Sequence, residues 1–156
     1  MNFKNNKGYT GIDISVAMII ILIFIPTIFG IVYNMQKIRA KSERESKAIS
    51  IATDVLEIAR SLDYSEVVIS NEDSGLKNLL NNKYTILEIS NNTANYSYSD
   101  NNVHYKIQVM VSNYYPSGIE DDEKHDYVKQ VTVTVTYPTG NTTKSINIST
   151  VLQNKN

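Results

Sequence analysis

The chain has 156 residues, 42% of them hydrophobic, and a formal net charge of −1, enough for one moderate domain plus an anchor. That charge argues against a nucleic-acid surface built on bulk positive charge. The absence of cysteine excludes disulfides and thiolate metal sites, and the two histidines, His104 and His125, stand too far apart in sequence to point to zinc. Asn, Ile, Lys and Tyr are over-used, as in an AT-rich bacterial genome. The Asn-x-Ser/Thr matches at Asn91, Asn95, Asn141 and Asn147 are therefore read as chance.

The chain opens on Lys4-Asn-Asn-Lys7-Gly8-Tyr9-Thr10-Gly11-Ile12-Asp13, a basic stretch followed by an acid at the lip of an apolar run. Ile14 to Gln36 is 23 residues without a formal charge. As a helix it covers about 34 Å, against about 30 Å of bilayer hydrocarbon. A buried core helix fits poorly, because a segment apolar on all sides needs lipid or a large protein around it. A secretory signal has a shorter apolar region and a small-residue cleavage site, neither of which is present. The segment reads as a membrane span. Pro26 inside it removes one backbone donor and leaves the Leu22 carbonyl unpaired, and Gly30 follows one turn later, so a kink or local loosening is expected there.

After the span the apolar positions thin to a stripe, Ala48, Ala52, Val55, Ala59 and Leu62, widened by Ile49 and Leu56. The opposite side carries Lys41, Glu43, Arg44, Glu45, Lys47, Asp54, Glu57 and Arg60. This is an amphipathic continuation of the same helix to about residue 61–63, giving one helix of roughly fifty residues, well above the globular average. Beyond residue 80 the period becomes two. Val103, Tyr105, Ile107, Val109 and Val111 alternate with polar residues, as do Val131, Val133, Val135 and Tyr137, and then Ile146, Ile148, Thr150 and Leu152. These are half-buried antiparallel strands. Pro138-Thr139-Gly140-Asn141 is a turn signal, and Tyr84–Ile89 is a further strand without clean alternation. The expected fold is α+β, a long helix packed on a roughly four-stranded antiparallel sheet.

Lys7-Gly8-Tyr9-Thr10, an acid five residues after the glycine, and an immediate apolar helix resemble the leader and amino terminus of type IV pilins and pseudopilins. The strand–turn–strand pattern at the carboxy end and the segment from Ala52 to Tyr64 are similar to minor pilins of the V/I type. The resemblance implies a leader of residues 1–8, an assembly helix over 9–36 and an extracytoplasmic pilin domain over 37–156. It implies cleavage between Gly8 and Tyr9 by a prepilin peptidase and methylation of the new amino terminus on Tyr9. It further implies that Asp13 pairs in the filament with the amino terminus of a neighbouring subunit, offsetting the cost of burying either charge alone. Pro26, read from its own missing donor, is expected to be a local break that lets the helix extend during assembly. Partners implied are the peptidase, other pilin subunits, an inner-membrane assembly platform and membrane lipid, with no nucleic acid. The implied location is the cytoplasmic membrane with the carboxy-terminal domain outside, then a surface or periplasmic filament.

The chain departs from the family at Asp13, where Glu is usual, at Gly11, where a bulky apolar residue is usual, and at Pro26, since the family's proline lies about a turn later. Taken alone, Asp13 reads equally well as an acid complementing the positive end of a helix. Lys37, Arg39, Lys41 and Arg44 follow the span, so basic-residue counting does not favour an inside amino terminus, whereas the resemblance requires one. The alternative is a single-pass membrane-anchored sensor or binding ectodomain, neither processed nor polymerised.

Glu120-Asp121-Asp122-Glu123-Lys124-His125-Asp126 is a dense acidic run. Clustered oxygens attract calcium, but the spacing fits no regular loop motif, and the expectation is a solvated loop with no cofactor, calcium being the alternative. His125 has no nucleophile or phosphate loop nearby, and no enzyme is expected. Tyr96, Tyr98, Tyr105, Tyr114 and Tyr115 lack interleaved basic residues and are read as sheet packing.

Overall fold

The computed structural model describes residues 11–69, 74–90, 92–114 and 128–154. Helix α1 runs over Gly11–Ser61, 51 residues. A single 3₁₀ turn follows at Tyr64–Glu66, then helix α2 at Gly75–Asn81. Five strands complete the chain: β1 (Thr85–Ser90), β2 (Thr93–Asp100), β3 (Val103–Asn113), β4 (Val128–Thr139) and β5 (Thr142–Gln153). They form one antiparallel sheet in the order β1-β2-β3-β4-β5. The architecture is α+β, one long helix packed on an antiparallel sheet, consistent with a pilin-like fold. The chain divides into two compact units, residues 1–42 and residues 43–156.

In the first unit every described residue is exposed. Apolar side chains occupy the whole circumference, with Ile12 74%, Leu22 70% and Phe29 70% exposed. The helix continues through Pro26, which has no amide hydrogen to offer the Leu22 carbonyl. Two hydroxyls fold back onto this helix: Ser15 Oγ donates to the Gly11 carbonyl and Thr27 Oγ1 to the Ile23 carbonyl, each at 2.8 Å. Such back-bonding satisfies hydroxyls internally where no solvent is required to do so.

In the second unit the carboxy-terminal part of α1 supplies Ala48, Ile51, Ala52, Val55, Leu56 and Ala59 to the core. The expected stripe holds at four-and-three spacing, with one correction. Ile49 is 44% exposed and Ile51 is buried instead, so the buried arc spreads to the other side of the alanine row. Leu62 is partly buried. Alanine methyls make up much of this face of α1, and the larger core side chains come mainly from the strands. Facing them are Ala94 and Tyr96 of β2, Tyr105, Ile107, Val109 and Val111 of β3, and Val131, Val133, Val135 and Tyr137 of β4. Each fully buried valine contributes about 1.5–3 kcal/mol relative to exposure. Ile146, Ile148 and Leu152 of β5 pack at the margin, partly covered.

The sheet has five strands where roughly four were expected. The addition is β2, whose inward Ala94, Tyr96 and Tyr98 alternate with asparagine and serine. In β1 the register shifts between Ile86 and Glu88. That bulge breaks the two-residue period and leaves Leu87 57% exposed. Two tight hairpins set the registers of the larger strands. Asn101 and Asn102 both take positive φ, 47° and 64°, between paired Asp100 and Val103, a turn whose twist matches the strands it joins. Gly140, φ 62°, opens the two-residue connection between paired Thr139 and Thr142, inside the expected turn signal. The ends of the longer β3–β4 connection are tied by the Tyr114 amide donating to the Val128 carbonyl at 2.9 Å.

Candidate functional site

The residues singled out for function concentrate at the amino end. Gly8 and Tyr9 lie outside the described residues, as does the acidic run 120–126. Asp13 sits in the first turn of α1, exposed, where backbone amides lacking helical partners and the positive dipole end favour a negative charge. From Ile14 to Val32 the only polar side chains are Ser15 and Thr27, both satisfied within the helix. The element that positions Asp13 is one helix long and apolar enough to cross a membrane. So large an apolar surface, uncovered within the chain, calls for lipid or for other apolar helices around it. The chemistry available to this site is charge pairing and helix packing.

The basic residues after the span divide into two groups. Arg44, half-buried, donates from Nη1 to the Pro138 carbonyl at 3.2 Å. Lys47 pairs with Asp100 at 2.9 Å and lies 5.4 Å from the Tyr98 ring centre. The Asp100 hydrogen bond raises the Lys47 pKa, against a smaller opposing effect of burial. Lys37, Arg39 and Lys41 are exposed and have no hydrogen bond or ion pair among the described residues.

Further along, three polar clamps tie the helical segments to the strands or, at Lys83 and Tyr84, to the turn before β1. Asp54 accepts from Lys83 Nζ at 2.6 Å and from Tyr84 Oη at 2.5 Å. Burial alone would raise the Asp54 pKa, but the hydrogen bonds from Lys83 and Tyr84 outweigh it and hold the carboxyl below its ordinary value. Tyr84 is shifted up, first by burial and then by its bond to Asp54. Arg60 donates from Nε and Nη2 to Thr150 Oγ1 at 3.1 and 2.8 Å. Lys129 Nζ donates to the Tyr64 carbonyl at 2.8 Å and lies 4.3 Å from its ring centre. Sequence reading missed all of these clamps. Their partners stand up to 90 positions apart, and no local pattern marks them.

The tyrosines form a cross-strand row, Tyr84–Tyr98–Tyr105–Tyr137, with ring centres 5.9, 6.3 and 6.3 Å apart. Tyr96 is fully buried beside it, and its hydroxyl has no partner among the described residues. Tyr114 is 40% exposed, and Tyr115 lies outside the described residues. A groove of about 770 Å³ opens between the end of α1 and the end of β5, lined by Arg60, Asp63, Tyr64 and Leu152 among others. His104 is exposed on β3. Among the described residues no three of His, Asp and Glu come close enough to share a metal ion.

No protein-family model, curated protein or solved structure matches the chain. A functional reading therefore rests on the residues and their placement.

Proposed function

We propose that the chain is a minor pilin or pseudopilin, an anchored structural subunit cut by a prepilin peptidase and assembled into a type IV pilus or a secretion-type filament. The observation that carries this reading is the acid in the first turn of a helix whose leading part is apolar and exposed on all sides, shortly after Lys7-Gly8-Tyr9-Thr10. Cleavage after Gly8 creates a positive amino terminus at Tyr9, which is then methylated. Asp13 pairs with the amino terminus of the adjoining subunit as the helix leaves the bilayer for the filament. Its value lies in register, since an unpaired carboxylate in that environment is strongly disfavoured. Pro26 serves there as a point where the helix loosens. The remaining partners are other pilins, the inner-membrane assembly platform and lipid, and the domain beginning at residue 37 lies outside the cytoplasmic membrane.

A second reading, a single-pass membrane-anchored sensor or binding ectodomain that is neither cut nor polymerised, draws on Asp13 itself, whose place in the first turn of α1 suits a plain helix-end charge. Mass spectrometry of the amino terminus separates the two. The first reading expects a mature chain beginning at methylated Tyr9, full-length protein from Gly8→Val, and normal cleavage but poor filament entry for Asp13→Ala. Full processing of Gly8→Val removes the main support for the family. Normal filament entry of Asp13→Ala leaves Asp13 as a helix-end charge.

A further inference from the structure

We propose that Lys37, Arg39 and Lys41 form a collar that binds the head groups of anionic phospholipids where α1 leaves the bilayer. The inference rests on the reading of α1 as a membrane anchor and goes beyond it by naming a lipid class. Three observations carry it. First, the position is fixed by length. With Ile14–Gln36 filling the hydrocarbon, the next five residues rise about 7.5 Å along the helix, and the head-group layer is about 5–8 Å deep on each side. The three cations fall within it.

Second, these charges are uncommitted. Arg44 and Lys47, one to two turns further on, spend their donors on Pro138 and Asp100. Lys37, Arg39 and Lys41 are exposed and have no partner among the described residues. No acid lies between Asp13 and Glu43 to neutralise them.

Third, they surround the helix. At 3.6 residues per turn, Lys41 lies about 40° round from Lys37, but Arg39 lies about 200° round. A neighbouring acidic protein would be met by cations on one side. Charges on opposing sides fit a ligand that encloses the helix, as the lipid annulus does. Each Lys or Arg near an anionic surface contributes to attraction, and salt screens it.

The test uses the full chain reconstituted in phosphatidylcholine vesicles, with spin-labelled phosphatidylcholine or spin-labelled phosphatidylglycerol as the probe lipid. The motionally restricted spectral component reports lipid in contact with the protein. Restricted phosphatidylcholine shows that the helix is embedded. A several-fold higher association of phosphatidylglycerol is expected, reduced by high salt and abolished in the triple variant Lys37→Gln/Arg39→Gln/Lys41→Gln. The double variant Arg44→Gln/Lys47→Gln should keep the preference. Restricted phosphatidylcholine without any preference for phosphatidylglycerol overturns the collar and leaves the anchor standing. So does a preference that survives the triple variant. If the triple variant loses association with a protein partner while the parent shows no lipid preference, the cations serve that partner and the proposal fails. Absence of a restricted component with either lipid removes the anchor, and the collar with it.

Discussion

Asp54 is the hinge point between the packed part of α1 and the start of the sheet, and its two partners should be separable by mutation. Tyr84 is 4% exposed, so its hydroxyl depends on the carboxylate. Lys83 is half in solvent, its side chain 51% exposed against 31% for Asp54. Hydrogen bonds to a charged group contribute about 1.5–3 kcal/mol, and the partial exposure of Asp54 puts Tyr84→Phe at the lower end, about 1.5 kcal/mol. The Lys83 pair belongs with surface ion pairs, so Lys83→Ala should cost about 0–1 kcal/mol. Asp54→Ala strands a buried hydroxyl as well as losing both bonds, and should cost about 2–3 kcal/mol. In the Tyr84→Phe background the same change should cost distinctly less, a coupling of about 1 kcal/mol or more. The pH dependence follows from the same geometry. The folded carboxyl titrates below its ordinary value of 3.8, so as pH falls the unfolded chain takes up the proton first. The stabilisation is complete above about pH 4 and is lost as pH falls through the folded-state pKa. Tyr84 behaves oppositely. Its folded pKa is raised above 10.0, so its contribution is full below about pH 10 and is lost as pH rises beyond it. Urea denaturation of a fragment beginning at Lys37, followed by circular dichroism across pH, measures all of this. Additive effects of Asp54→Ala and Tyr84→Phe, or a larger cost for Lys83→Ala than for Tyr84→Phe, would refute the assignment.

A fragment beginning at Lys37 should be soluble and monomeric, with mixed helix and strand signal, because the second unit buries its own helix face against its own sheet. Solubility only in detergent, measured by light scattering, would show that the sheet needs the anchor. Tyr96→Phe in that fragment should be neutral or stabilising by up to about 1 kcal/mol, since it removes a buried hydroxyl without a described partner. A loss of stability in urea titration would reveal a partner for it.

The sequence was most informative where one physical pattern acted alone. The long apolar run, the alanine row of α1 and the alternation in β3 and β4 are set by what must be apolar, and they read directly. Strand β2 was missed because its outward positions are asparagine and serine, which also make loops, and only Ala94, Tyr96 and Tyr98 mark its inner face. Helix α2 was missed because seven residues are too short for periodicity to declare itself. Its one signal was Ser74, whose Oγ accepts from the Lys77 amide at 3.3 Å. The Asn101-Asn102 hairpin carried turn chemistry without the usual glycine. Ile49 and Ile51 differ only in which side of the stripe the sheet covers, and a helix pattern cannot choose between them. In the amino-terminal site the span and the place of Asp13 at its head were legible. The contrast between committed Arg44 and Lys47 and uncommitted Lys37, Arg39 and Lys41 was not, because the partners come from distant strands.

The plain strand order has a kinetic consequence. Each strand pairs with the one made just before it, so the sheet can grow hairpin by hairpin as the polypeptide emerges, with short loops to close at most steps. The helix has no such convenience. Arg60 reaches across 90 positions to Thr150, and the inner face that covers the alanine row is incomplete until β4 has joined. During synthesis the amphipathic half of α1 must therefore wait with its apolar side uncovered, and the last strands to arrive are the ones that let it dock. A ribosome stall or truncation after β3 would leave a paired meander beside an unsatisfied helix, the species in which aggregation should begin.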